Sequence, residues 1–542
     1  MTNNDLKRLI KIEDRIKQIF HEDLGLTSYP IEFDIVPPQK MLEVMAYNIP
    51  TNISNWKKGR DYEIQRTRYE YAAAGLPYEV VINADPARAY LMNNNKFSVQ
   101  CLVMAHVYGH AAFFTHNKFF QNSRRDIIAA MKAASERFNK YEKRFGVDEV
   151  EKTVDAGHAL QFHSSPFASN ETEKEKRKKI FEQEKKKAHT HGGTFGDLTG
   201  TVIAEINEDL ELFNQKLWRK LRLKTPIEPT DDLLRYIIDN STLLEDWQQD
   251  ILEVLRMEGQ YYWPIIKTKF MNEGFAVVVH EKIMTKLFEE DLLTSAEHAD
   301  FNYSNSLVKA SNPFGLNPYL IGSSMWRDIE DRWDRGCHGS DWSECKNAQV
   351  KENWDTKDMV GWQKCKEIME INSDWFFMQE FLTSELIRDI KIYVFAAKDA
   401  GQTIDYIITK DTAEEIRLKI LDAFAQNTTP SIDIVNGNYE EKGWLELKHN
   451  WVGVDLEETY AKETMRHMAY LWGRAVVLGT EEGEFKWGSK EKVKKISWKI
   501  LPPGEEVPEE PKEEEKEDVV TAAWKKLWKI ASPLDQTYRC PW

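Results

Sequence analysis

The chain has 542 residues, a formal net charge of −16 and five cysteines. A chain of this length buries a large core and divides into more than one domain; the acidic balance excludes a non-specific nucleic-acid binder. Five thiols without framework spacing exclude a disulfide scaffold and point to a reducing compartment. The charged, amphipathic start has no h-region, so no signal peptide is expected. No uninterrupted apolar run of spanning length occurs, and the expectation is a soluble cytoplasmic protein.

Taken in order, Asp5–Leu24 reads as an amphipathic helix, Tyr29–Val36 as a short apolar stretch closed by Pro37 and Pro38, and Tyr78–Asn83 (YEVVIN) as a strand. Ala89–Leu91 is a further extended piece. Ser98–Thr115 (SVQCLVMAHVYGHAAFFT) is apolar nearly all round, so it reads as a buried helix with Ser98 as its N-cap. Inside it His106 and His110 are four residues apart, which puts both imidazoles on one face about one turn apart. This is the spacing that holds zinc in H-E-x-x-H enzymes. The letter after the first histidine is Val107, so the usual glutamate base is missing.

Arg124–Phe145 and Val147–Ala159 read as helices, the second carrying Asp155 and His158 on one face. The Lys/Glu run Glu171–Lys187 reads as a solvated helix or insert, and His189 and His191 after it as part of a surface loop. Trp247–Tyr262 is a helix expected to end at Pro264, and Ile265–Leu287 a second long buried helix. Ile321–Arg335 is helical. In the polar insert at 337–361, Cys337, His338 and Cys345 lack a partner pair at zinc-site spacing and read as free thiols beside a histidine.

Beyond Asn372 the pattern turns to β: a hairpin over Lys391–Ala397 and Thr403–Thr409, a helix over Thr412–Ala425, a second hairpin over Ser431–Val435 and Trp444–Lys448, a helix over Leu456–Trp472 and a last strand at Ala475–Leu478. The expected fold is mainly α with a zincin-like helical core over 1–370 and a smaller C-terminal α+β domain over 371–502. An acidic linker and Trp-rich tail occupy 503–542. In that tail AAWKKLWKI (522–530) is amphipathic and expected to dock on its own chain.

The second chemical element is KFMNEGFAVVVHEK (269–282). Its NEGFA, residues 272–276, is similar to the pentapeptide that supplies the third zinc ligand of gluzincin aminopeptidases. On that likeness Glu273 joins His106 and His110 in a His2Glu site with an open fourth position, the pattern of catalytic zinc. The separation of more than 160 residues is tolerable because loop-closure entropy rises slowly with length. His280 follows Glu273 by two helical turns, about 10.5 Å along the axis, and is expected to line the same cleft. Candidates to replace the missing base are Glu258, His280 and the Asp155/His158 pair, with Tyr262 and Tyr261 as oxyanion donors.

Several segments together resemble the SpoVR (stage V sporulation protein R-like) family: HVYGHAAFF (106–114), LEDWQQDILEVLRMEGQYYWP (244–264), TKFMNEGFAVVVHEKIM (268–284), LNPYLIGSSMWRDIEDRW (316–333), FMQEFLT (377–383) and ETMRHMAYLWGR (463–474). Phe275 and Ala111 stand where the family usually has Trp and Ser. The resemblance implies a link to spore cortex (peptidoglycan) assembly and to stress response. It also implies association with a serine protein kinase and a von Willebrand-type protein, whose genes often accompany family members. The expectation drawn from residues and resemblance together is a zinc-dependent amidase or peptidase acting on peptidoglycan-type peptides. The competing expectation is a non-catalytic scaffold in a kinase-linked complex, with the site degenerate at Val107.

Overall fold

A computed structural model of the chain describes residues 3–46, 79–163, 173–192, 225–311, 315–399, 404–409, 411–426, 429–486 and 489–504, with single positions and short pieces between 60 and 66 and between 212 and 218. The acidic linker and the Trp-rich tail lie outside the described residues. The molecule is mainly helical with a small C-terminal sheet region.

Two compact units emerge, and they are not the contiguous halves expected around residue 370. One comprises the described residues up to Glu136 together with those of Tyr261–Asn427; the other comprises those of Arg137–Gln260 and Thr428–Pro511. Residues 371–427 go with the first unit because their apolar side chains complete its core. Leu386, Ile387, Ile416 and Ile420 belong to the same buried cluster as the two long buried helices, and Phe424 packs edge-on to Phe270 at 4.8 Å. The hairpin of β4 (Phe395–Asp399) and β5 (Ile404–Ile408) is therefore a separate two-stranded sheet and not part of a ββαββαβ domain.

The first unit opens with the helix Asn3–Gln18 and a three-stranded sheet, β1 (Ile31–Val36), β2 (Glu79–Ile82) and β3 (Ala87–Met92), in the order β1-β3-β2. β1 runs parallel and β2 antiparallel to β3. β3 turns directly into the helix Phe97–His116, here termed the histidine helix. Its cap is Lys96, not Ser98, which lies within the first turn. Every residue from Ser98 to Phe114 is buried, as an all-round apolar helix must be. By length and composition this helix could cross a membrane, but within the protein it is enclosed by other elements.

Packed on it is the helix Lys269–Glu289, here the NEG helix, and on that the helix Pro318–Asp334. Pro264 does not end the preceding helix, which runs from Asp246 through Lys267. The break comes at Thr268, whose hydroxyl donates to the Pro264 carbonyl at 2.7 Å. The NEG helix then starts without a side-chain cap of its own. Its first donors are instead taken by Asp374, which is buried and accepts from the Phe270 and Met271 amides at 2.9 Å each. Negative charge at a helix N-terminus is favourable, yet burial dominates and pushes the Asp374 carboxyl up to about 7.

Between the ordinary aspartate value near 4 and about 7 the folded state binds the extra proton. The contribution is full at the acidic end of that window and is lost as pH rises through it. Asp374→Asn is therefore expected to flatten the fall in stability over this range, and Asp374→Ala to cost about 2–4 kcal/mol by stranding two buried amides. Urea melts of the three proteins at several pH values measure both; equal slopes for wild type and Asp374→Asn would contradict it.

In the second unit, Leu233, Leu234 and Ile237 of one helix, Ala156 and Leu160 of another, and Met465, Met468 and Leu471 of the helix Glu458–Trp472 form one core with Ile434, Leu445 and Leu478. The sheet has the order β6 (Ile432–Tyr439), β7 (Trp444–His449), β8 (Val476–Lys486), β9 (Ser489–Ile500). β7 and β8 are parallel and joined through the helix Glu458–Trp472. β9 extends the sheet beyond the strand expected to be last. Its Lys-rich alternation (SKEKVKKISWKI) conceals an edge strand from a hydrophobicity reading, since edges favour charge.

Candidate metal centre

The histidine and NEG helices meet at unusually close range because of glycine. His106, Gly109 and His110 share one face of the first helix by their i, i+3, i+4 spacing, as Glu273, Ala276 and His280 do on the second. A Cβ on Gly109 would lie 2.6 Å from the Ala276 Cα. On the other side of the NEG helix, a Cβ on Gly274 would lie 2.2 Å from the Gly322 carbonyl carbon, and one on Gly322 would lie 2.1 Å from the Phe270 oxygen. Glycines next to His110 and Glu273 thus let three helices approach until short side chains on different helices can converge.

They do converge. Nitrogens of His106 and His110 and a carboxylate oxygen of Glu273 all lie within 4.8 Å of one another, and all three residues are buried. Nε2 of His106 is 3.7 Å and Nε2 of His110 3.5 Å from Glu273 Oε2. These are not ion pairs. Burial pulls both imidazoles down to about 4, so they are neutral at physiological pH. Burial also pushes the Glu273 carboxyl up, opposed by His110, by Lys269 and by a hydrogen bond from Tyr319.

Each imidazole is oriented from behind. Nδ1 of His110 lies 2.9 Å from Asn272 Oδ1; an amide oxygen only accepts, so His110 carries its proton on Nδ1 and turns the Nε2 lone pair toward Glu273. Nδ1 of His106 lies 2.9 Å from Nδ1 of His280.

This arrangement fits a divalent cation. Ligands about 2.0–2.2 Å from a tetrahedral zinc lie roughly 3.3 Å apart, close to the 3.5 and 3.7 Å observed. Glu273 Oε2 is buried with no hydrogen-bond donor on it among the described residues, a costly position for a carboxylate oxygen unless a cation is its partner. Two neutral nitrogens with a carboxylate is the donor set of a catalytic zinc site. His106, His110 and Glu273 would hold the ion.

The other residues expected at the site are distributed differently. His280 stands behind His106 with both ring nitrogens engaged, Nε2 being 3.1 Å from Asn305 Oδ1. A histidine so bound is not placed to take a proton from a reacting group. Glu258 is buried in the second unit, its carboxylate 3.8 Å from Nε2 of His158. Tyr262 stacks edge-on with Tyr261, which accepts from the Asn83 amide at 3.0 Å. Val107 is fully buried in the main apolar cluster. Cys337 and Cys345 are free thiols.

Tyr319 is the residue that sequence reasoning missed. It is half-buried, donates to the Glu273 carboxylate and lies 6.2 Å, ring to ring, from His106. The signal was present in LNPY: Asn317 caps the helix by accepting from the Tyr319 and Leu320 amides, with Pro318 in the first turn. That fixes Tyr319 in the first turn but says nothing about what it faces.

The model of the SpoVR-like protein family matches residues 3–429, and that of the SpoVR-like C-terminal domain matches 430–483. The chain belongs to the SpoVR family. The junction of the two matches coincides with the start of the C-terminal segment of the second compact unit at Thr428. An Escherichia coli (strain K12) relative described as uncharacterized protein YcgB is 28% identical over 503 residues, covering 86% of this chain and 89% of the relative. No solved structure matches the chain.

Proposed function

We propose that this member of the SpoVR family is a zinc-dependent hydrolase of peptide or amide bonds, with His106, His110 and Glu273 as metal ligands and a peptidoglycan-type peptide as substrate class. The observation that carries the reading is the convergence of two neutral imidazole nitrogens on a buried carboxylate oxygen that has no hydrogen-bond donor among the described residues. A zinc ion bound there supplies Lewis acidity toward a carbonyl oxygen and lowers the pKa of water. The remaining chemistry falls to the chain. Asn272 and His280 hold the two imidazoles in register. Tyr319, half-buried where the other groups are closed in, is placed to donate a hydrogen bond to a developing oxyanion. With Val107 apolar and His280 engaged, the proton acceptor is a group other than these.

Val107 favours a second reading: a metal-bearing but non-hydrolytic scaffold in a stress or sporulation complex with a serine protein kinase and a von Willebrand-type protein. Elemental analysis of the purified protein, followed by assay against muropeptides and peptide amides, separates the two. The hydrolase reading expects about one zinc per chain and turnover abolished by His106→Ala. Stoichiometric zinc without turnover on any amide favours the scaffold. A protein that neither contains nor takes up zinc removes both metal readings.

A further inference from the structure

Behind His106 runs a chain of buried polar groups that reaches across two more helices. His280, at the end of the NEG motif, meets His106 nitrogen to nitrogen at 2.9 Å. On its far side its Nε2 lies 3.1 Å from Asn305 Oδ1, on the helix Ser295–Val308. The Asn305 amide is itself fixed, because its Nδ2 donates to Glu281 Oε1 at 2.6 Å. Glu281 is held in turn by Lys309 at 2.7 Å and by Arg327. These two cations keep its carboxyl ionised and well below the usual range, at about 2, so it acts only as an acceptor.

The proton positions along this chain follow by elimination. An ionised Glu281 accepts, so Asn305 presents its NH2 to it and its oxygen to His280. An amide oxygen accepts, so His280 carries a proton on Nε2. His280 is buried with one ring nitrogen on an amide oxygen and the other on a second imidazole, neither of them an anion, so it is neutral and holds one ring proton only. Its Nδ1 is therefore a bare acceptor. The short contact to His106 needs one donor, so His106 carries its proton on Nδ1 and leaves Nε2 as a lone pair facing Glu273 Oε2.

We propose that His280 and Asn305, anchored by Glu281 with Lys309 and Arg327, are positioning residues that lock His106 into the one tautomer able to bind a metal through Nε2. The inference rests on the metal-site reading above and deepens it: the usual partner of a metal-binding histidine is a carboxylate or carbonyl, and here His106 has both the Ala276 carbonyl and a second neutral histidine, which must itself be locked from behind. His110 reaches the same state through the single residue Asn272. The two ligands are therefore set independently, and loss of the His280 chain damages only one of them.

The test uses the full-length protein with zinc and cobalt as probes. His280→Leu removes the imidazole acceptor, leaving His106 the Ala276 carbonyl alone, and is expected to weaken zinc binding about tenfold and to change the visible spectrum of the cobalt form. His280→Gln, whose amide oxygen can still accept from His106 Nδ1–H, is expected to recover most of the affinity. Asn305→Leu, which leaves His280 in place but unlocked, should fall between them. Histidine-selective 15N NMR of the metal-free protein reads the tautomers directly: His106 protonated on Nδ1 and His280 on Nε2 are expected in the wild type. Should His280→Leu fail to fold, the Asn305→Leu affinity and the wild-type tautomer of His280 decide. A wild type with His106 protonated on Nε2, or folded variants that bind zinc and cobalt as the wild type does, would overturn the proposal and leave the metal site standing. A wild type that binds neither metal overturns the metal-site reading itself.

Discussion

Glu273→Gln is expected to abolish stoichiometric zinc binding while leaving the metal-free protein at least as stable as the wild type. The substitution keeps the size of the side chain and removes a charge that burial already penalises. Among the described residues nothing pairs Glu273 Oε2 with a donor, so no hydrogen bond to that oxygen is lost. The metal loses its one anionic ligand, and the affinity is expected to fall by more than the roughly 100-fold upper figure for outer-shell changes. The combination separates a metal site from a structural cluster. Loss of stability in Glu273→Gln without loss of zinc would mean that the carboxylate serves the fold. Thermal melts with and without zinc, alongside a competitive chelator titration, give both quantities on the same samples.

The second large effect is expected at glycines that touch no ligand. Gly274→Ala places a methyl 2.2 Å from the Gly322 carbonyl carbon and 2.6 Å from the Ser323 amide nitrogen, all backbone atoms that cannot rotate away. Relief requires the NEG helix and the helix Pro318–Asp334 to part by about 1 Å. Overpacking of this kind costs about 1–3 kcal/mol, against which the better helix propensity of alanine returns up to about 1 kcal/mol. Binding should suffer more than folding, since ligand positions must hold within about 0.2 Å. Gly274→Ala is thus expected to lose zinc affinity at least about tenfold for a modest drop in melting temperature. Gly109→Ala, 2.6 Å from the Ala276 Cα, should act alike from the other helix. An alanine at either position that leaves both zinc affinity and melting temperature at wild-type values would show that the helices have room to spare and that this account of the site is wrong.

The chemistry of the centre was largely legible in the residues, but its surroundings were not. Two histidines one turn apart and an Asn-Glu-Gly on another helix are local patterns, and the structure brings the three side chains together. His280 was misplaced as a cleft residue because helical spacing gives the face a side chain lies on and not what stands opposite. It lies against His106 and Asn305, and no proton-transfer position is left to it. Tyr319 was overlooked for the same reason. The C-terminal division failed where two hairpins of similar pattern followed each other: β4–β5 joins the helical unit through Ile416 and Ile420 of the helix that follows it, while β6 onward builds a core with residues near 160 and 240.

The sequence by itself determined where the long apolar and amphipathic helices lie, that the histidine helix would be enclosed, and which residue types are present to hold a cation. Those properties depend on periodicity and composition within one or two turns. Only the tertiary structure decided that His106, His110 and Glu273 share one point, that Asn272 and His280 orient them, and that Asp374 caps the NEG helix from more than a hundred residues away. These are registers between elements far apart in the chain. They are set by where glycine allows backbones to touch and by which buried donor finds which acceptor, and no local pattern encodes either.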